Sequence, residues 1–571
     1  YRAGDLKAII NPLGHRSDYL KYDGDGRLLE MSDANGVMSR FEYDASGRTN
    51  SITIDGNVTD FSRDNSGNLT RLTLPDESYI SYEYDEFDRL IAIMDALGNR
   101  VEYTLDAKGN RISENSYDET GALRRQVNRI YDTLGQLEKL IDGSGDETVY
   151  GYDSNGRLVD RLDANQNLTR FEYDPLDRLT MTTDSSLGQT LMEYGDRDQL
   201  AGITDPLGNT TRYTFDGLDN QLQLDSPDTG MSSHEYDSAG NLLATTDAEG
   251  VRKSYSFDSL NRLTGVSYPD SALNVSYSYD AGEHGIGRLT GMVDSAGTSS
   301  YSYDARGNMI AEIRTIGEEQ YLVLYEFNSA DRLTQITYPS GMEISFTLDA
   351  SGQVKAIEKA GHDGNETLAS HVLYEPFGPA HSFEYGNGLA FSAGFDLESQ
   401  LGTLQSGNEL NWSLNYDPAG NIIAISSQPD NVYDQLFEYD NLHRLTSALG
   451  SYGPEAFAYD ASGNRTRRQT ELTYQSYSYD SQSNRLLAGN NLSFTRDATG
   501  NRTRKLDANG YGHLYTYADH NRLARLSERE ATGDTVVMEY LYDGRGQRVS
   551  KSPGSESTHF IYGPSGLLLG E

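Results

Sequence analysis

The chain has 571 residues with no Cys, which excludes a disulfide framework and a thiolate zinc site. Its formal net charge of −40 argues against nucleic acid as a partner, because phosphate binding needs cationic neutralisation. Hydrophobic residues make up only 36%, too few for a thick core, and no run is long and apolar enough for a transmembrane helix.

The first residues, YRAGDLKAII, start in mid-pattern and read as a piece of a longer chain. The first full motif is YDGDGRL at 22–28, and YDASGRT follows at 43–49. Related copies run to the other end, anchored on Tyr84, Tyr131, Tyr152, Tyr173, Tyr236, Tyr279, Tyr303, Tyr416, Tyr439, Tyr459, Tyr479 and Tyr542. Degenerate copies fill the gaps at Arg63, Leu105, Tyr194, Phe215, Phe257, Phe327, Leu348, Tyr374, Phe395, Arg496, Tyr517 and Tyr562. This makes about 26 units at a usual spacing of about 21 residues, a repeat architecture in which no unit is a separate site. No change of composition marks a second domain, so residues 1–571 read as one continuous array.

Each unit reads as strand, turn, strand, turn. In YDASGRT, Asp44 suits the first position of a type I turn, and Gly47 supplies the left-handed residue of a G1 bulge. That geometry places Tyr43 opposite Thr49, and in other units Tyr opposite Leu: Tyr22 with Leu28, Tyr84 with Leu90, Tyr173 with Leu179, Tyr439 with Leu445. Where the Gly is missing, Asp88, Asp177, Asp219, Asp331, Asn261, Asn521 or His443 stands in its place, all residue types that tolerate positive φ. The strands alternate aromatic with polar residues, giving one aromatic and one wet face. Isolated hairpins are marginal, so stability must come from stacked neighbours, with Tyr expected over Tyr along the sheet. The longer spacings near 106–130, 280–302, 304–326, 349–373 and 518–541 predict extended loops or lengthened hairpins.

The fold class that follows is all-β: about 26 β-hairpins in one long antiparallel sheet. So many strands must twist and curl, and too little apolar material is present for a sandwich. The sheet is expected to coil as a spiral into a hollow shell.

The repeated YDxxGRL, seen as YDGDGRL (22–28) and YDSNGRL (152–158), resembles the YD-repeat or RHS-repeat family. YDAGEHGIGRLTGM (279–292) resembles a lengthened form of the same repeat, and residues 540–571 resemble the stretch leading into the RHS core. The resemblance implies a hollow β-shell around a C-terminal toxin, as in the B–C pair of insecticidal Tc complexes and in Rhs effectors; animal teneurins carry a similar shell on adhesion receptors. It also implies that an N-terminal region and the C-terminal core and toxin lie outside this chain. In toxin members that core carries paired Asp-Pro-x-Gly motifs and releases the toxin. Asp205-Pro206-Leu207-Gly208 lies instead in a repeat turn, without a partner motif, and reads as a turn signal.

No catalytic, cofactor or metal residue is assigned. Ten His are scattered, at 15, 234, 284, 362, 371, 381, 443, 513, 520 and 559, without a helical pair. DGDG (23–26) and DGSGDE (142–147) alternate oxygen ligands but lack a full calcium loop with its closing Glu. The chain is therefore expected to be a non-enzymatic shell of a secreted protein or one at the bacterial surface. Its expected partners are its own C-terminal toxin cargo or delivery-complex proteins. The alternative is a cell-surface adhesion protein that binds carbohydrate.

Overall fold

A computed structural model describes residues 4–361, 364–428, 431–554 and 556–571. Its architecture is a single 52-stranded sheet plus a small two-stranded one, Ile561–Tyr562 with Leu568–Gly570. Each strand of the large sheet pairs antiparallel with the next in sequence, from Ala8–Ile10 through Thr558–His559. Helix is confined, among the described residues, to two 3-10 turns, Ser271–Leu273 and Asn431–Tyr433.

The turn chemistry explains this monotony. Asp44 Oδ1 accepts the N–H of Ser46 at 2.8 Å and of Arg48 at 2.9 Å, while Oδ2 accepts Arg48 Nε at 2.7 Å. The Gly47 N–H donates to the Asp44 carbonyl and the Asp44 N–H to the Arg48 carbonyl, which closes the expected type I turn with its G1 bulge. These bonds to its anionic form hold the Asp44 carboxyl below the usual aspartate range. The register is the one expected: Tyr43 opposite Thr49, Tyr22 opposite Leu28, Tyr173 opposite Leu179 and Tyr439 opposite Leu445. The replacement residues have positive φ, with Asp88 at 60°, Asn261 at 58° and His443 at 59°.

Two features escaped the sequence. A second register shift falls one step beyond the Tyr, as between Glu42 and Tyr43 or Glu172 and Tyr173, and recurs in hairpin after hairpin. Such bulges bend a strand and sharpen its twist. Among the described residues the tyrosines also do not stack ring on ring. Equivalent strands are two apart, about 9.6 Å, beyond the 4.5–7 Å reach of ring contacts. The preceding unit's arginine fills the gap instead: Arg157 lies 5.1 Å over the Tyr173 ring and Arg262 4.4 Å over Tyr279. In most units the anchor phenol hydroxyl then ties two units together by donating to a backbone carbonyl. Tyr43 bonds Leu28 O and Tyr173 bonds Leu158 O, both at 2.8 Å.

The sheet winds on itself. Asn35 Nδ2 donates to the Ile286 carbonyl, 251 residues on, and Asn165 Nδ2 to Asp417, 252 residues on. One turn of the spiral therefore takes about 250 residues, and the chain makes a little over two turns. Roughly 23 strands lie between Asn35 and Ile286. At about 4.8 Å each they give a circumference near 110 Å and a diameter near 35 Å, leaving about 25 Å clear inside the side chains. Few side chains are fully buried, as a single-layer wall requires. The core clusters sit where long strands of one turn meet the next, as Tyr325, Ile336 and Val323 do with Val549 and Ile561. Longer spacings become lengthened hairpins, such as Met309–Ile316 with Glu319–Phe327 and Leu523–Glu530 with Gly533–Tyr542.

Removing one hydroxyl tests the ladder. Tyr173→Phe keeps the ring and loses the bond to Leu158, and is expected to cost about 0.5–1.5 kcal/mol. Tyr173→Ala should cost more, because Arg157 and Leu179 also lose their ring partner. Urea denaturation of the three proteins checks the order.

Candidate functional site

The feature of the molecule with functional consequences is its wall, built in two directions. Along each turn of the spiral, neighbouring YD hairpin loops are clasped side by side. Arg157 Nη1 donates to Asp177 Oδ1 at 2.8 Å and Arg178 Nη1 to Asp198 Oδ1 at 2.7 Å. The acceptors are the residues at positive φ, so Asp there serves both the turn and the clasp. At some of the glycines in that position, Gly47, Gly67, Gly307 and Gly352 among them, a neighbour's arginine lies on the turn: a Cβ on Gly47 would fall 2.7 Å from Arg27 Nη1.

Between turns of the spiral, one kind of edge meets the other. The looser second turns of the first coil sit on the YD turns of the second. Asp228 Oδ1 accepts the Asn484 N–H at 2.7 Å, and Asp228 O accepts Arg485 Nε at 2.9 Å. Asp76 Oδ2 accepts Asn328 Nδ2 at 3.0 Å and also pairs with Arg332. Ser185 Oγ donates to the Asn441 carbonyl at 2.5 Å, and the Gln126 N–H to that of Leu397 at 2.9 Å. Asp205, of the Asp-Pro-Leu-Gly segment, caps its own turn and accepts Asn484 Nδ2 at 2.9 Å across the seam. It is a turn and seam residue. Leu397 and Leu442, at YD turn tips of the second coil, are half-buried, while Phe87, Leu134, Leu176 and Leu218 at first-coil tips are exposed.

The seam tightens near the end of the chain. Arg314 and Asp294 form a buried bidentate pair with both contacts at 2.8 Å. Asp294 Oδ2 also accepts the Gly544 N–H at 3.0 Å, and Tyr277 OH donates to the Gly544 carbonyl at 2.8 Å. Arg545 lies 4.8 Å over the Tyr301 ring. Burial pushes the nearby carboxyls of Glu312 and Asp543 up.

One carboxylate group crosses the seam. Asp142 and Asp146, in the DGSGDE turn, meet Glu398 of the next coil within 4.8 Å. The set offers hard oxygen ligands of the kind a divalent cation takes. Burial and then the Asp142 charge raise the Asp146 carboxyl; burial likewise leads in raising Glu398. The sequence showed the first two residues; Glu398, 252 residues after Asp146, joins them only through the winding. Among the described residues no other group of three His, Cys, Asp or Glu is placed to hold a metal.

The histidines are dispersed. His443 Nε2 meets Asp163 across the seam at 2.9 Å, His559 Nδ1 meets Tyr321 OH at 2.8 Å, and His520, lowered to about 4 by burial, stands edge-on to Tyr268 and Tyr542. His362 lies outside the described residues.

The teneurin YD-shell family matches residues 78–194 and 386–562, more than half of the chain. The chain belongs to that family. The RHS repeat family matches residues 22–54, 194–231, 236–273 and 284–317 of the same YD-shell. Its fold is similar to that of TcdB2-TccC3, with a TM-score of 0.74 and 16% identity over 97% of this chain and 37% of that one. It is also similar to a chain of the Photorhabdus luminescens Tc holotoxin pore, with a TM-score of 0.72 and 15% identity over 96% of this chain and 38% of that one. Double-stranded DNA deaminase toxin A of Burkholderia cenocepacia (strain H111) is 32% identical over 174 residues, covering 29% of this chain and 11% of the toxin. The YD-shell thus spans well under half the length of each of these proteins.

The seam chemistry of the YD-shell can be probed at two places. Arg314→Ala leaves Asp294 buried without its partner and is expected to destabilise the docking of the last coil by about 3–5 kcal/mol. Hydrogen exchange at residues 543–546 reads the loss. The raised Asp146 and Glu398 carboxyls bind protons more tightly when folded, so this contact strengthens as pH falls through their folded pKa values and weakens as pH rises. Glu398→Gln should raise the melting temperature at neutral pH and flatten its rise on mild acidification. The turn aspartates such as Asp44 have the opposite sign: their contribution is present above the ordinary aspartate value and is lost as pH falls through the depressed one.

Proposed function

We propose that this chain is the wall of a container that encloses a polypeptide cargo within a secreted RHS-type toxin. The observation that carries the reading is the seam, in which polar groups of one coil's edge are satisfied by the next coil's turns about 250 residues on. That pattern closes the side of a coil with a clear bore of about 25 Å, wide enough for unfolded chain or small helical elements. The wall is read as non-enzymatic: its turn aspartates and the arginines that close the regular YD turns serve as turn caps, clasps and seam contacts. The similarity to TcdB2-TccC3 and to a deaminase toxin supports a toxin cargo following the shell, and delivery-complex proteins as further partners. The site of action that fits is outside the producing cell, or at its surface.

Protease protection in the full-length natural protein tests the reading. Polypeptide following the shell is expected to resist protease while the wall is intact. Loosening the seam with Asp228→Ala, Asn165→Ala and Arg332→Ala together should expose it to digestion. Equal digestion of that segment in parent and variant would sink the container reading.

A further inference from the structure

Charge is unevenly placed along this chain. Between Arg465 and Leu506 stand eight Lys and Arg against three acidic residues, in a protein of net charge −40. Four of the cations share the tyrosine face. Arg465 lies over the rings of Phe457 and Tyr477 at 6.0 and 4.9 Å, and Arg502 over Phe494 at 4.9 Å. Across the ladder between Leu492–Arg496 and Arg502–Leu506, Arg496 stands opposite Arg502 and Lys505 opposite Phe494.

These four differ from the arginines that close the regular YD turns, although others in the wall, Arg63 and Arg467 among them, likewise have a buried Nε without a partner. Arg27, Arg48, Arg89, Arg157, Arg178 and Arg262 each pair with the aspartate of their own turn. Neighbouring Arg468 and Arg525 pair with Glu455 and Glu539. Among the described residues Arg465, Arg496, Arg502 and Lys505 have no carboxylate within ion-pair distance. Like charges set directly opposite on adjacent strands destabilise a sheet. The Nε atoms of Arg496 and Arg502 are moreover buried without a hydrogen-bond partner. Burial, then the charges of Arg502 and Arg485, push the Arg496 guanidinium down from its ordinary value.

A largely polar hollow of about 490 Å³ lies at the far end of the same strands, lined by Gln475, Ser476, Tyr477, Asn490, Asn491 and Asp507 among others. It exists because Leu486–Gly489 and Leu492–Arg496 meet in a tight Asn490–Asn491 turn, both residues at positive φ, and stop short of their neighbours. Tyr477 belongs to both features, as a wall of the hollow and the ring beneath Arg465.

We propose that this notch seats an acidic polypeptide segment of a partner chain, its carboxylates on Arg465, Arg496, Arg502 and Lys505 and its intervening side chains against the rings of Phe457, Tyr477 and Phe494. Guanidinium groups favour carboxylates through charge-assisted, fork-shaped hydrogen bonds. A polypeptide suits the notch better than a nucleic acid. Its carboxylates can be confined to the patch, whereas a polyphosphate strand carries charge onward across a strongly acidic surface, within the reach of unscreened repulsion.

Fluorescence anisotropy on the purified chain tests this with a short labelled peptide that alternates Glu with Tyr and Leu. The same peptide with Lys for Glu and a single-stranded oligothymidylate are the comparison probes. The acidic peptide is expected to bind at low salt and weaken as salt rises. Arg502→Gln should lower its affinity about tenfold, and Arg496→Glu with Arg502→Glu should abolish binding. Arg502→Gln should not lower the melting temperature, because it relieves the facing charges; a purely structural arginine would show the reverse, a lower melting temperature at unchanged affinity. Absent binding, equal affinity for parent and Arg502→Gln, or tighter binding of the oligothymidylate would each overturn the proposal.

Discussion

The carboxylate that opens each YD turn is the interaction on which the rest depends. It accepts two backbone N–H groups and, in most units, the guanidinium or amide of the residue that closes the turn, as Asp44 does with Ser46 and Arg48. The looser second turns reuse the same device, as Asp205 does with Leu207 and Asn209. With the YD turn set, the G1 bulge follows, then the Tyr–Leu pairing, then the adjoining second bulge. A bulge on the same side of one hairpin after another accumulates as curvature. The hollow wall is thus a local turn preference summed over dozens of strands.

A curved single-layer sheet faces a difficulty at its edges, where loops present polar groups. Here the two edges are chemically different, and winding brings unlike edges together. Second turns contribute side chains such as Asp228, Asp76 and Asn165, and YD turns supply N–H, guanidinium and carboxylate partners such as Asn484, Arg332 and Asp417. Seam contacts of this exposed type are individually weak. Their repetition, with Gly544 held by Asp294 and Tyr277 of the preceding coil, gives the coil its closure.

Much of this was legible in the residues. Spacing identified the YD hairpins, and the residues replacing Gly at the bulge, from Asp88 to His443, marked the left-handed position. Other things were illegible for stated reasons. Ring-on-ring stacking of tyrosines was the natural expectation, but alternate strands lie too far apart, and arginine fills the space. Glu398 could not be joined to Asp142 and Asp146, nor Asp205 to Asn484, because each contact depends on the number of residues per coil. That number is set by the sum of small bends, and no motif states it.

The sequence by itself determined the hairpins, their register and the all-β class, because these rest on interactions within about five residues and between adjacent strands. Only the tertiary structure decided which turns meet across the seam, where the seam carboxylates gather, and how wide the bore is. Those depend on curvature, a property of the whole sheet to which each unit adds a few degrees.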